Sequence, residues 1–293
     1  MRYLLTLLFL PLLIGCGETA EPASEATVSE VPTTDPDAAR ITAATTRLSS
    51  SGPAQKVLRA ISAMGGLEAW YGNGPLYYRF NYQPLDNGTP RDTYTTNDYR
   101  TSRAVHQLAS DTTVRYGFDG TDAWSADGQR VAGMSPRFWS LTPYYFVGLP
   151  FVLADEGIEF EAMEPTELEG STYDLVRVTF AEGTGDAAED FYVLYLNPDN
   201  GQLDALRYVV SYPGFFPDGG STPEKLMVLT GKTKVDGLTL PTGYTTYLWN
   251  EGKVSEPVTD IAVTDYAFRP ELDDAFFDRP ADARVYNDLP AAQ

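Results

Sequence analysis

Cysteine is nearly absent from this chain. Cys16 is the only one in 293 residues, so no internal disulfide can form, and thiolate catalysis and cysteine-built metal sites are closed to the folded part. Histidine is equally scarce: His106 stands alone in the stretch Ala104-Val105-His106-Gln107-Leu108, where it reads as a strand histidine at a surface or core edge. No histidine cluster for a metal can be assembled. No G-x-S-x-G elbow, G-x-x-x-x-G-K-[ST] loop or G-x-G-x-x-G fingerprint occurs, so the usual hydrolytic and nucleotide-binding routes have no motif to rest on. Positive charge is also in short supply. Against 41 acidic side chains stand 21 basic ones, net −20, which disfavours nucleic acid as a partner because affinity for phosphate backbones comes mainly from Lys and Arg. The same charge repels anionic headgroups. The apolar run from Tyr3 to Ile14 falls short of the about 20 residues that a membrane-spanning helix needs.

What is present begins at that run. Arg2, the apolar stretch and then Leu13-Ile14-Gly15-Cys16 have the charged start and small-residue exit of a secretory signal, and together they resemble a bacterial lipoprotein signal peptide with its lipobox. The resemblance implies cleavage after residue 15 and lipidation of Cys16, the membrane anchor. Two or more acyl chains hold far more firmly than one, at roughly 0.8 kcal/mol per buried methylene. Gly17 follows the cysteine where an aspartate is associated with inner-membrane retention, and this favours the outer membrane.

From residue 16 to 51 the composition turns to Ala, Thr, Ser, Pro and Glu, too polar to offset its ordering entropy. A flexible coil of about 35 residues reaches roughly 30 to 35 Å. A short helix near Asp37 to Leu48 is allowed but not required. The folded domain is expected over 52–278, with an irregular tail over 279–293. Ser51 as cap, Pro53 in the first turn and the stripe Val57, Leu58, Ile61 and Met64 predict a helix that Gly65-Gly66 ends. A brief turn follows at Leu67-Glu68-Ala69-Trp70.

Beyond Trp70 the pattern is one of strands. Tyr78, Phe80 and Tyr82 alternate onto one face, and Tyr94 to Arg103 is Thr- and Tyr-rich in the manner of an exposed strand. Asp119-Gly120, Asp127-Gly128, Asn197-Pro198-Asp199-Asn200-Gly201 and Val235-Asp236-Gly237 are hairpin connections. The Asn197 loop carries oxygen ligands but lacks the frame of a calcium loop. Roughly ten evenly spaced strands point to a mainly β, α+β fold built on an antiparallel meander. One stretch interrupts it: Pro136 to Leu153 is aromatic and apolar, expected as one or two short helices broken at Pro143 and Pro150 and laid over the sheet.

Aromatic surplus is the positive signal, with 19 Tyr, 14 Phe and four Trp. On the strand ending at Leu196, Phe191, Val193 and Tyr195 occupy one side and Tyr192, Leu194 and Leu196 the other. A sheet with two apolar faces must cover both or leave one lining a cavity. Phe215 and Phe216, adjacent on a Gly- and Pro-bounded loop, are placed to touch a membrane, an acyl chain or a partner, or to fold back on the sheet edge.

With the lipobox, the tether, the helix closing on Gly65-Gly66 with Trp70 just after, the long meander and the central Leu149-Pro150-Phe151 segment, the chain resembles, from about Pro53 to Phe277, outer-membrane lipoproteins similar in fold to LolA and LolB, the lipoprotein carrier and receptor. Met64 stands where many of those relatives have a histidine. The resemblance implies an unclosed β-barrel whose concave apolar face, covered by short helices, accepts the acyl chains of a lipid or lipoprotein without a cofactor. Tyr78, Phe80 and Tyr82 are then expected along the wall, Trp124 among the ligand-binding aromatics, and Trp139, Tyr145, Phe146 and Phe151 as a movable plug. A scaffold or protein-interaction lipoprotein with a solid core is the first alternative. The second is a hydrolase using paired acids such as Glu189-Asp190, Asp273-Asp274 or Asp119 with Asp122.

Overall fold

The computed structural model describes residues 36–126, 135–187, 189–250 and 252–286. The expected signal peptide, Cys16, residues 17–35 and the Asp127-Gly128 turn lie outside the described residues. Four helices and one sheet make up the described part: α1 Pro36–Leu48, α2 Gly52–Ala63, α3 Leu67–Gly72 and α4 Pro136–Gly148. Helix α1 corrects the expectation of a tether running to residue 51. Asp37 in its first turn and Arg47 in its last complement the helix dipole, and Ala44 and Leu48, one turn apart, are buried in the main core. Helix α2 forms as its sequence predicts. Ser51 accepts a hydrogen bond from the Ala54 N–H at 3.4 Å, and Val57, Ala60 and Ile61 are buried.

The strands form one 13-stranded antiparallel sheet that does not close. Strands β1 Leu76–Pro84, β2 Arg91–Asp98, β3 Arg103–Leu108, β4 Asp111–Phe118 and β5 Ala123–Ser125 make a first meander. The second runs through β6 Ile158–Leu168, β7 Ser171–Phe180, β8 Tyr192–Leu196, β9 Leu203–Tyr208, β10 Lys225–Val235, β11 Leu238–Asn250 and β12 Lys253–Phe268. Strand β12 returns beside β1, with Leu76 opposite Phe268 and Tyr82 opposite Ile261, and this pairing joins the two meanders. Part of the tail expected to be irregular adds a last strand, β13 Arg284–Tyr286, to the edge at β5. Three residues are too few to leave a periodic signal.

The helices pack on the inner face, where residues of α1 to α4 share one core with residues of β1 and β7 to β12. Helix α4 runs through Pro143, which the sequence reading takes as a break. Proline removes one backbone hydrogen bond, and α4 offsets that loss by burying Trp139, Pro143, Tyr144, Phe146 and Val147. A cis Leu149–Pro150 bond and the short 3-10 turn Phe151–Ala154 follow. Outer-face positions make smaller clusters, Val193 and Tyr195 with Leu175, Ala205 and Leu226, and Val105 and Trp124 with Phe277. Strand β2 overturns the reading of an exposed strand, because Thr93, Thr95 and Asn97 are buried between β1 and β3. Most of their polar atoms find partners inside: Tyr78 donates to Asn97 Oδ1 at 2.6 Å, and both threonine hydroxyls reach His106, while Asn97 Nδ2 is buried without one.

Candidate functional site: a cleft beside helix α4

An open cleft of about 480 Å³ lies between α4 and the sheet ends that face it. Helix α4 supplies Phe138, Trp139, Leu141, Tyr145 and Phe146; the sheet supplies Tyr82, Phe118, Phe180, Tyr192 and Tyr208; and the loop after β9 supplies Tyr212 and Phe215. Ser135 sets the start of α4 by accepting the Phe138 N–H at 3.2 Å, and from there helical spacing aims these side chains along one flank. The rings brace each other. Tyr82 meets Trp139 edge to face at 5.2 Å, Phe146 meets Tyr208 at 5.3 Å, and Phe138 contacts Phe215 at 4.8 Å, in the edge and offset geometries that aromatic quadrupoles favour.

Four of the eight expected ligand-binding aromatics therefore come together at the cleft: Tyr82, Trp139, Tyr145 and Phe146. The other four do not line it. Tyr78 and Phe80 are buried further along β1 under the helices, and Phe151 is sealed against Trp70, stacked at 4.6 Å. Trp124 belongs to the opposite face of the sheet: His106 on β3 points at α4, its neighbour Val105 points away, and Trp124 packs with Val105 under Phe277. Of the loop pair, Phe215 folds onto Phe138 while 39% exposed, and Phe216 is not among the cleft residues. Phe118, Phe180 and Tyr208, which sequence reasoning missed, sit on strands whose alternation is clear; what alternation lacks is position along the strand.

Polar groups gather at one side. Arg137 binds Asp186 through both carboxylate oxygens at 2.6 and 2.9 Å and lies 4.8 Å over the Phe118 ring. Asp190 Oδ1 accepts from the Ser211 N–H and hydroxyl at 2.6 and 2.8 Å, and burial raises the pKa of its carboxyl. Lys225 completes the group. The other candidate acids serve structure: Asp119 Oδ1 accepts two turn N–H groups, Asp122 pairs with Arg279, Asp273 caps the turn at Ala275, and Asp274 pairs with Arg103. Asn197 likewise closes its hairpin through the Asp199 and Asn200 N–H groups. Among the described residues no group of three His, Cys, Asp or Glu could hold a metal ion.

His106 fastens α4 to the sheet. It is fully buried, contrary to the expected surface or edge position. Nε2 lies 3.0 Å from the Ser140 carbonyl, which can only accept, so Nε2 carries the proton and Nδ1 accepts from Thr95 at 3.1 Å. Burial lowers the pKa of the imidazole from 6.5 to about 4. Asp155, at the end of the Phe151–Ala154 turn, shifts the other way: burial raises it from 3.8 to about 6, opposed by Arg40 and by the Tyr71 hydroxyl. The signs then oppose each other in one pH window. As pH falls from about 6.5 to 4 the unfolded chain protonates at His106 before the folded one, and stability is lost; between about 6 and 3.8 the folded chain protonates first at Asp155, and stability is gained. Each effect amounts to roughly 3 kcal/mol at most. Compared with wild type over pH 7 to 4, Asp155→Asn is expected to lose stability and His106→Gln to gain it in urea titrations. Difference curves that stay level with pH would contradict both assignments.

No family model matches the chain, and no curated protein matches its sequence. Solved structures do match. A LolA superfamily protein from Nitrosomonas europaea is 13% identical, with 78% of this chain and 99% of that one covered at a TM-score of 0.50. A DUF1329 family protein from Desulfovibrio piger is 15% identical, with 84% of this chain and 98% of that one covered at a TM-score of 0.48. The chain thus has the LolA-like fold, an unclosed antiparallel sheet wrapped on short helices.

Proposed function

We propose that this chain is a lipid-anchored protein of the cell envelope, at the outer membrane, that binds the acyl chain of a lipid or lipoprotein in the cleft beside α4 and catalyses no reaction. The cleft carries this reading. It is walled by Tyr82, Trp139, Tyr145, Phe146, Tyr192, Tyr208 and Phe215, and its volume of about 480 Å³ is that of a site for one small ligand, in the range of about 300 to 1,000 Å³. A hydrocarbon chain needs few directed contacts, and each methylene removed from water contributes roughly 0.8 kcal/mol. The anchor in this proposal is Cys16, in the sequence that precedes Pro36.

Mass spectrometry of the purified mature chain, starting at Cys16, tests both parts. Denatured, it is expected to carry covalent acyl mass on Cys16; under native conditions it is expected to carry one further non-covalent acyl species per chain. A chain that is empty after purification and also ignores added palmitate would leave the solid scaffold as the better description. Trp139→Ala, which opens the cleft wall, is the accompanying variant.

A further inference from the structure

Lys225, the first residue of β10, lines the cleft. It lies opposite Tyr208 on β9 and Leu248 on β11, so its stem runs beside the aromatic wall. Its ammonium sits 6.0 Å from the centre of the Tyr208 ring. Among the described residues no carboxylate lies within ion-pair distance of it. The cleft's two carboxylates are already engaged. Asp186 gives both oxygens to Arg137, and Asp190 is held by Ser211. A half-buried cation that is left without a counter-ion is costly, and an incoming anion relieves that cost. Burial lowers the pKa of this lysine, with Asp86 opposing the shift.

We infer that the cleft selects single-chain amphiphiles whose acyl chain ends in an anionic oxygen group, with the Lys225 ammonium as the partner of that group. The inference rests on the reading of the cleft as an acyl site and narrows it to a class of ligand. A neutral head leaves Lys225 without a partner, and a cationic head meets it with like charge. A carboxylate or a phosphate gains a charge-assisted hydrogen bond at the edge of an apolar wall, where such bonds are strong. Asp190 does not cancel this, because its Oδ1 is occupied by the two Ser211 donors and it makes no ion pair with Lys225.

Equilibrium binding of three probes of equal chain length to the purified chain provides the test: palmitate, a sixteen-carbon lysophosphatidic acid and hexadecanol. The anionic probes are expected to bind about tenfold more tightly than the alcohol, the scale of one hydrogen bond to a charged group. Whichever anionic probe binds more tightly identifies the head as a fatty-acid carboxylate or a lipid phosphate. Lys225→Met is expected to bring the ratio of anionic to neutral affinity close to one, and Lys225→Arg to preserve it, which separates loss of charge from loss of fold. Hexadecanol binding as tightly as palmitate, or an unchanged ratio in Lys225→Met, overturns the inference while leaving the acyl site standing. Failure of all three probes to bind removes both.

Discussion

Phe151→Ala is expected to destabilise the fold by about 4 kcal/mol, within the range of about 3 to 5 kcal/mol for emptying a buried phenylalanine site. The ring is fully buried and stacks on Trp70 at an interplanar angle of 13°, and Trp70 in turn meets Tyr99 at 4.1 Å. Neighbours locked in this way cannot collapse into the space left behind, so the cavity persists. At about 2 to 4 °C per kcal/mol for a domain of this size, Tm falls by roughly 10 °C. Phe215→Ala, on a ring 39% exposed at the cleft mouth, is expected to stay within about 1 kcal/mol of wild type and to weaken acyl binding. Thermal melts of the two variants read the difference directly. Equal melting temperatures would mean that Phe151 is a mobile plug after all.

Gly65→Ala should be nearly as damaging, and Gly66→Ala should not. Gly65 has φ +127°, and a Cβ there would lie 2.5 Å from the Gly237 carbonyl oxygen and 2.9 Å from Leu238 Cα. Both obstacles are backbone, held close by the Thr239 N–H bonded to the Met64 carbonyl at 2.7 Å. Strain at a positive φ costs roughly 1 to 2 kcal/mol and forced overpacking typically 1 to 3, so about 4 kcal/mol is expected. At Gly66, with φ +87°, the nearest atom is the end of the Glu68 side chain at 3.2 Å, which can swing away, and roughly 2 kcal/mol is expected for the backbone strain alone. Urea titration of the two variants separates the cases. Identical losses would show that the approach of α2 to the turn before β11 is not what makes glycine necessary at residue 65.

Local chemistry was legible in the sequence wherever it acts locally. Ser51 and Pro53 open α2, Asn197 closes the hairpin before β9, and Asp236-Gly237 turns β10 into β11 because caps and tight turns depend on a few neighbouring residues. Alternation placed Tyr78, Phe80 and Tyr82 on one face, and they share it. Period tells face but not depth: the first two are covered by helices, and only Tyr82 reaches the cleft. Polar residues misled for a related reason. Thr93, Thr95, Asn97 and His106 resemble surface residues one by one, and what makes burial tolerable is the pairing of the threonines with His106 and of Asn97 with Tyr78. Lys225 gave no signal, since its importance depends on which carboxylates lie near it in space.

The pairing of β1 with β12 sets an order on how the molecule can be made. Residues 76 and 268 must meet before the two halves of the sheet become one, so a chain delivered from its amino end holds the inner edge of β1 open until almost the last strand has arrived. Contacts of such long range make folding slow. During that interval the unpaired edge is a template for wrong partners, and a chaperone that shields β1 would be most useful in the time between its emergence and that of β12.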